Sequence, residues 1–262
     1  MNNQIYIYHH LGLGDHFHCN GVVRSLINEK YRDIKVKLFA KEKYFEMVKF
    51  MYRDLSNLEI ISITNDEKKE KNEINSIIKN NDIIERIGFD YFLRNKDKGK
   101  TIDMLFYEQY NINYSKRFEL TYWKRDPIKE RNLYKEIVEN ENYVFVHDDP
   151  GRGFVIPDNA FSKEFQIIRN SYSNSIFDYG EIIEKSKEIH VMESSARCML
   201  EYLNTEKSKH FLYDFVGGPW KSIPYYDVNN KIVGSSKEWI IKKIPFKRKD
   251  NFLRRLLNIF NF

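Results

Sequence analysis

Short runs of β-branched and aromatic residues alternate along this chain with segments in which apolar residues recur at helical spacing. The strands that the pattern predicts are Ile5–Tyr8, Ile34–Phe39, Leu58–Ile63, Tyr143–Val146, Phe165–Ile168, Ile189–Met192 and Lys209–Tyr213. Strands that alternate with helices are typical of parallel sheets that carry helices on their faces. The sequence therefore predicts an α/β fold.

The alternation is interrupted around Tyr122–Pro127 and then restarts, which predicts two successive α/β halves. We expect one Rossmann-like domain over residues 1–125 and a second over residues 142–240. Between them, residues 126–141 are predicted to form a linker helix that Asp126 caps and that has Pro127 at its first position. With 262 residues, of which 42% are hydrophobic, the chain can bury two such cores.

Basic residues are concentrated at the C-terminal end of the chain. Eight basic and two acidic residues lie between Lys237 and Phe262, so the rest of the chain is close to neutral although the net charge is +5. We therefore expect no nucleic-acid partner, because such proteins carry a basic surface on the folded domain. Residues 241–262 are predicted to be a basic amphipathic tail with a helix that Asp250 caps. Residues 242–262 either lie on an anionic membrane surface or dock on the protein itself or on a partner subunit.

The sequence also bears on location. It has no run of about 18 apolar residues, and no signal peptide precedes the first strand, so neither a membrane span nor export is expected. The two cysteines, Cys19 and Cys198, are far apart, which favours a reducing compartment. We expect a cytoplasmic protein, held at the inner face of the cell membrane if the tail binds lipid.

The loop after the first predicted strand holds the densest set of reactive side chains. Six of them lie within eleven residues, namely His9, His10, Asp15, His16, His18 and Cys19. Gly12 and Gly14 permit a tight turn at which a ligand can approach the backbone. Asp15 either caps the following helix or accepts a proton from a substrate hydroxyl. A metal site is a third alternative, but the spacing matches no standard ligand pattern, and we expect no metal.

Two loops of the second half carry further candidate chemistry. The segment His147–Gly153 follows a strand and contains Arg152, whose guanidinium is a forked donor suited to phosphate. The same segment is also compatible with an ordinary turn, and Asp148 and Asp149 lack a third ligand for a divalent ion. Glu193-Ser194-Ser195 joins a strand to a helix, where the serines either cap the helix or face an anion.

Taken together, these motifs resemble those of a known family. Gly12-Leu13-Gly14-Asp15 resembles the N-terminal glycine–aspartate loop of GT-B glycosyltransferases of the heptosyltransferase type. The segment Ile182–Ser195 resembles the helix, strand and turn that hold the nucleotide-sugar diphosphate in that family, and His147–Gly153 is similar to a segment of uncharacterised bacterial relatives. The resemblance implies a GT-B-like fold, in which two Rossmann-like parallel-sheet domains face a central cleft.

The resemblance also implies a role for each matching residue. Asp15 would be the catalytic base, and the acceptor-side loop would comprise His10, Gly12, Gly14 and His16. The donor-binding residues would be His147, Asp148, Arg152, Glu193, Ser194 and Ser195. The N-terminal domain would then be the acceptor side and the C-terminal domain the nucleotide-sugar side. No metal cofactor is required, since helix N-termini and an arginine can stabilise the leaving diphosphate.

The resemblance implies transfer of a sugar from a nucleotide-sugar donor to a hydroxyl of a cell-surface glycan or lipid-linked acceptor, as in bacterial capsule or lipopolysaccharide assembly. Glu193 and Ser195 stand where the family has aspartate and glycine. This departure motivates an alternative, a catalytically inactive α/β protein of a polysaccharide locus that binds nucleotides or glycans. A further alternative is a metal-dependent hydrolase that uses the N-terminal histidines. His9 and His18 have no assigned role.

Overall fold

The computed structural model describes residues 4–95, 100–171, 173–216 and 231–246. In these residues the chain forms two parallel sheets. The strands are β1 (Ile5–Tyr8), β2 (Val36–Lys41), β3 (Leu58–Ile63), β4 (Ile83–Arg86), β5 (Tyr143–His147), β6 (Gln166–Arg169), β7 (Glu188–Met192), β8 (Lys209–Val216) and β9 (Trp239–Pro245). The first sheet has the order β3-β2-β1-β4, and the second has the order β6-β5-β7-β8-β9.

Helices cover the faces of both sheets. They are α1 (Leu13–Ser25), α2 (Phe45–Met51), α3 (Glu67–Ile77), α4 (Phe89–Asn95), α5 (Ile102–Gln109), α6 (Arg117–Leu120), α7 (Pro127–Ile137), α8 (Gly180–Lys185) and α9 (Ser195–Leu200). Every residue of β1 and β5 is buried, as expected for parallel strands with helices on both sides. The predicted α/β class is therefore confirmed.

Each sheet has a point at which the direction of strand addition reverses. In the first sheet the chain adds β2 and β3 on one side of β1 and then places β4 on the other side. In the second sheet β6 lies on one side of β5, and β7 follows on the other. Crevices for ligands form at the carboxyl ends of strands beside such reversals. The loops after β1, β5 and β7 are therefore the places where a site is expected.

The linker is fixed to the second domain through α7. The side chain of Asp126 accepts a hydrogen bond from the Lys129 N–H at 3.2 Å, and Pro127 occupies the first turn, which agrees with the predicted cap. The guanidinium of Arg125 binds Glu130 at the start of α7 and Glu184 of α8. A Cβ atom at Gly180 would lie 2.6 Å from Glu130 Oε2, so a larger residue here would displace the Glu130 carboxylate where α7 packs on α8.

Four aromatic side chains, which we call the aromatic junction, join the two domains. Phe177 of the second domain packs with ring-centroid distances of 4.9 Å to Phe50, 5.6 Å to Phe17 and 5.7 Å to Trp123. These residues belong to one hydrophobic core that contains side chains from both sheets. Aromatic pairs at such distances add about 0.5–1.5 kcal/mol each beyond the effect of burial.

Two strands were not predicted. The edge strand β4 pairs with β1 but is mostly exposed, so its sequence lacks the apolar pattern of a buried strand. Strand β9 pairs with β8 and extends through residue 245, past the predicted start of the tail at residue 241. Trp239 and Ile241 pack on the main core from one face of β9, Ile244 packs on a second cluster from the opposite face, and the remaining residues are exposed, which suits an edge strand. The predicted amphipathic helix after Asp250 lies outside the described residues.

No helix within the described ranges has both the length and the apolar composition needed to cross a membrane.

We predict that Phe177→Ala lowers the free energy of unfolding by about 3–5 kcal/mol, because it removes a buried ring from the aromatic junction. Guanidinium unfolding followed by circular dichroism and by fluorescence will measure the loss, and the two probes should give one coincident transition. Phe118→Ala is the matched control, since that ring is 42% exposed, and it should cost much less. If the two domains unfold in separate transitions, and Phe177→Ala changes neither midpoint, the domains do not share a core.

Candidate functional site

A cavity of about 490 Å³ lies at the carboxyl ends of strands from both sheets. Its lining comes from the loop after β1, the turn after β2, and the loops after β5, β6 and β7, together with the end of β8. The polar and charged residues that line it are Lys43, Tyr44, His147, Asp149, Arg152, Asn170, Ser171, Asn174, Tyr179, Glu193, Ser194, Ser195, Tyr213 and Asp214. The cavity therefore coincides with the strand-order reversals of both sheets.

The glycine loop after β1 forms the side of the cavity that belongs to the first domain. Gly12 is the N-cap residue of α1, and both Gly12 and Gly14 line the cavity. A Cβ atom at Gly14 would lie 3.4 Å from Cys198 Sγ and 3.8 Å from Ser195 Cα, so the loop contacts the start of α9 directly. The sequence predicted close approach of a ligand at these glycines, and in the structure Gly14 allows close approach of the second domain.

The loop after β5 presents an arginine to the cavity. Residues Pro150–Arg152 form a single 3-10 turn, in which the Asp149 side chain accepts a hydrogen bond from the Arg152 N–H at 3.0 Å. The guanidinium of Arg152 also pairs with Asp149, yet 54% of its side chain remains exposed. Gly153 completes the turn with a φ of 89°, a conformation that favours glycine. A cation thus stands at the wall of the cavity with its loop held in place.

The turn after β7 supplies Glu193, Ser194 and Ser195 to the same wall. Ser194 is the N-cap residue of α9, but its hydroxyl donates to the Met192 carbonyl at 3.1 Å instead of capping the helix. The carboxylate of Glu193 accepts a hydrogen bond from Arg197 Nε at 2.8 Å. Any ligand contact of Glu193 would therefore share this carboxylate with Arg197.

Asp15 lies in the first turn of α1, behind the glycine loop. Its carboxylate accepts a hydrogen bond from the Gly12 N–H at 3.2 Å, so Asp15 supports the start of the helix from its third position, whereas the N-cap is Gly12 and not Asp15 as predicted. The helix begins at Leu13, two residues before the predicted cap. Burial raises the pKa of Asp15, and this effect outweighs the neighbouring His18, His10 and Lys41, which lower it. A carboxylate with a raised pKa is a stronger base than a free aspartate.

The four N-terminal histidines do not form a single cluster. His10 stacks on Phe89 with a centroid distance of 4.7 Å, and His18 contacts Cys198. His9 and His16 are fully buried, pack edge to face at 4.4 Å, and burial lowers the pKa of both, to about 4 for His9. Within the described residues, no group of three or more histidine, cysteine or acidic side chains is placed to hold a metal ion.

Two predicted site residues require correction. His16 points into the core because α1 starts early and turns that side chain away from the loop, so it cannot line the cavity. Asp148 is buried, with 2% of its surface exposed. Its carboxylate pairs with Arg169 and accepts a hydrogen bond from the Ile156 N–H at 2.8 Å. Adjacent residues at the end of a strand point to opposite sides, and here Asp149 faces the cavity while Asp148 anchors the loop.

His10 was predicted to belong to the acceptor-side loop of the site, but it is not among the described residues that line the cavity. His147 does line it, and burial lowers its pKa to about 4, so the imidazole is neutral there at pH 7. Gly12, Gly14, Arg152, Glu193, Ser194 and Ser195 are likewise brought together at the cavity, as the sequence motifs suggested.

Sequence reasoning missed several cavity residues. Lys43 lies on the turn after β2, with its ammonium 4.9 Å from the centre of the Tyr44 ring, and Asn170 and Ser171 follow β6. Each stands just beyond the carboxyl end of a predicted strand. Ligand sites in such folds lie at the carboxyl ends of strands, so the loop after every predicted strand is a candidate, including the loops that carry these residues.

No protein-family model matches this sequence, and no curated protein sequence matches it. Among solved structures, the chain is similar to a glycosyl transferase of family 9 from Veillonella parvula DSM 2008, with 11% identity and a TM-score of 0.54 over 100% of this chain and 93% of that one. It is also similar to the E. coli heptosyltransferase WaaC with ADP, at 8% identity and a TM-score of 0.46 over 98% of each chain. WaaC with ADP-2-deoxy-2-fluoro heptose gives 9% identity and a TM-score of 0.42 over 98% of this chain and 99% of that one.

The likeness to the Veillonella structure extends over the whole chain and shows the fold. This protein has a GT-B-like fold, with two Rossmann-like parallel-sheet domains that face a common cavity. The fold expected from the sequence motifs is thereby confirmed.

Proposed function

We propose that this protein is a glycosyltransferase that moves a sugar from a nucleotide-sugar donor to a hydroxyl of a glycan or lipid-linked acceptor. The observation that carries the proposal is the cavity at the strand-order reversals of two facing parallel sheets. Its volume of about 490 Å³ falls in the range of small-molecule sites. The fold shared with a glycosyl transferase of family 9 supports the same conclusion.

The donor would bind on the side of the second domain. Arg152 offers a forked cationic donor for a diphosphate, and Ser194 and Ser195, on the turn after β7, line the same cavity. Lys43 reaches the cavity from the first domain and adds a second positive charge. When the bond between the sugar and the diphosphate breaks, negative charge develops on the leaving group, and these cations stabilise it.

The acceptor would enter from the side of the first domain. Its hydroxyl oxygen attacks the anomeric carbon of the sugar, the bond to the diphosphate breaks, and the hydroxyl proton passes to Asp15. Asp15 accepts a hydrogen bond from the Gly12 N–H behind the glycine loop and does not itself line the cavity, so the proposal requires this loop to move when the acceptor binds. The raised pKa of Asp15 makes it a better proton acceptor.

The setting of the reaction follows from the same proposal. An acceptor built on a lipid would be presented at the cytoplasmic face of a membrane, which the basic sequence after β9 would contact. Lipopolysaccharide or capsule assembly in bacteria is the corresponding process.

We predict that the protein slowly hydrolyses its nucleotide sugar in the absence of acceptor and that Asp15→Asn lowers this rate about 10²- to 10⁴-fold with little change in binding. A panel of nucleotide sugars, with released nucleotide measured by chromatography and binding by calorimetry, provides the test. Asp66→Asn is the matched control, because Asp66 caps α3 at an exposed site. This variant should hydrolyse the nucleotide sugar at the wild-type rate.

The outcomes of this test are distinct. Hydrolysis that Asp15→Asn leaves unchanged would refute Asp15 as the base. Binding of a nucleotide sugar without turnover in any acceptor mixture would support the alternative of an inactive binding protein. Absence of binding to every member of the panel would refute the proposed function itself.

The pH dependence of the same reaction gives a further prediction. Because burial raises the pKa of Asp15, the rate should rise with pH at a midpoint above the usual value of about 3.9. The folded state also binds this proton more tightly than the unfolded state, so ionisation lowers stability as pH rises through the raised pKa. Asp15→Asn should therefore be at least as stable as the wild type at pH 7. A midpoint at or below 3.9, or marked destabilisation by Asp15→Asn, would contradict this.

A further inference from the structure

A second pocket, of about 300 Å³, lies at the boundary between the domains. Phe118 and Thr121 line it from the first domain, and residues between Glu201 and Glu206, together with Lys237, line it from the second. Its volume is at the lower end of the range for small-molecule sites. Helix α9 begins at the first cavity with Ser195 and ends at this pocket with Glu201, its C-cap residue. No described residue lines both, so the two are distinct.

An exposed aromatic ring forms part of the wall that the first domain contributes. The side chain is Phe118, which is 42% exposed. The guanidinium of the buried Arg117 lies 3.8 Å from the centre of this ring, and the Tyr202 ring is 5.9 Å away at an angle of 55°. These contacts hold the ring in place and leave part of it open to the pocket. An aromatic ring in this position offers an apolar surface on which the C–H face of a pyranose can pack.

Polar groups with unused hydrogen-bonding capacity line the same pocket. The ammonium of Lys237 donates to the Leu203 carbonyl at 2.8 Å, and no carboxylate in the described part of the chain lies within ion-pair distance of it. An ammonium has three donors, so two remain for a ligand. The side chains of Asn204 and Glu206 are exposed and add an amide and a carboxylate. The pocket therefore offers both donors and acceptors.

The charges of the lining nearly cancel. The carboxylate of Glu201 is already occupied, since it pairs with Arg197 at 3.1 Å and accepts hydrogen bonds from the Ser235 hydroxyl and the Ser236 N–H, each at 2.6 Å. The remaining charges, on Lys237 and Glu206, are opposite in sign. An anion would be repelled by the carboxylate and a cation by the ammonium. An uncharged ligand rich in hydroxyl groups can donate to one and accept from the other.

We propose that this pocket binds a neutral saccharide, which packs on Phe118 and exchanges hydrogen bonds with Asn204, Glu206 and Lys237. The binding itself goes beyond the proposed function and does not depend on it. The use of the pocket does rest on that function, because the pocket would hold a sugar unit of the acceptor other than the one that reacts.

The test is titration of the full chain, without nucleotide, with maltose, cellobiose, lactose and diacetylchitobiose, followed by saturation-transfer NMR and calorimetry. We expect at least one of these neutral disaccharides to bind in the millimolar range or more tightly. Phe118→Ala and Lys237→Met should each weaken binding at least about tenfold, because each removes a direct contact. Phe118→Tyr should retain binding, since the ring is kept. Lys209→Met is the matched control, because Lys209 is an exposed lysine outside the pocket, and it should bind as the wild type does.

Several results would overturn the proposal. One is the failure of every disaccharide to bind, and another is binding that folded Phe118→Ala leaves unchanged. Inorganic phosphate that binds more tightly than any disaccharide would show an anion site instead. Displacement of the saccharide by a nucleoside diphosphate would place it in the first cavity. Circular dichroism establishes whether each variant is folded, and if Lys237→Met is not, Phe118→Ala and the two competition results decide.

This proposal and the proposed function can fail separately. Saccharide binding in a protein that binds no nucleotide sugar would refute only the proposed function. Turnover of a nucleotide sugar by a protein that binds none of the disaccharides would refute only the second site.

Discussion

Phe177 inserts between Phe17, Phe50 and Trp123, and this contact fixes how the two sheets face each other. A parallel sheet offers its carboxyl-end loops on one edge only, so two domains create a shared cavity only if those edges are turned toward one another. The aromatic junction imposes that orientation without itself lining the cavity. The site is therefore a consequence of packing some distance away from it.

Close approach of the domains then depends on small residues. Gly14 contacts Ser195 and Cys198 across the boundary, and Gly180 lets α7 reach α8. The same closeness leaves Asp15, His18 and Asp103 only partly exposed, and the loss of solvation raises the pKa of Asp15.

Most strands could be predicted from the sequence because they are buried on both faces and are therefore almost wholly apolar, as in β5. The pattern fails at the edges, where β4 and β9 need no continuous apolar run. The loops of the site could be located from the sequence because they follow these buried, apolar strands.

Side-chain direction within a loop could not be predicted. It depends on where the next helix begins. Helix α1 begins two residues before the position predicted from the sequence, and His16 is buried in the core. Asp148 and Asp149 are equivalent in the sequence, but the pairing of Arg169 with Asp148 separates a structural residue from a cavity residue. The contact between His18 and Cys198 joins residues 180 positions apart and has no local sequence pattern.

We propose that the cavity binds the diphosphate of a nucleotide sugar on the side of the second domain, and a crystal structure of the full chain with a nucleoside diphosphate will test this. We expect the diphosphate to contact Arg152 and the turn at Ser194 and Ser195. A diphosphate held instead by the loop after β1, or bound outside the cavity altogether, would contradict the proposal.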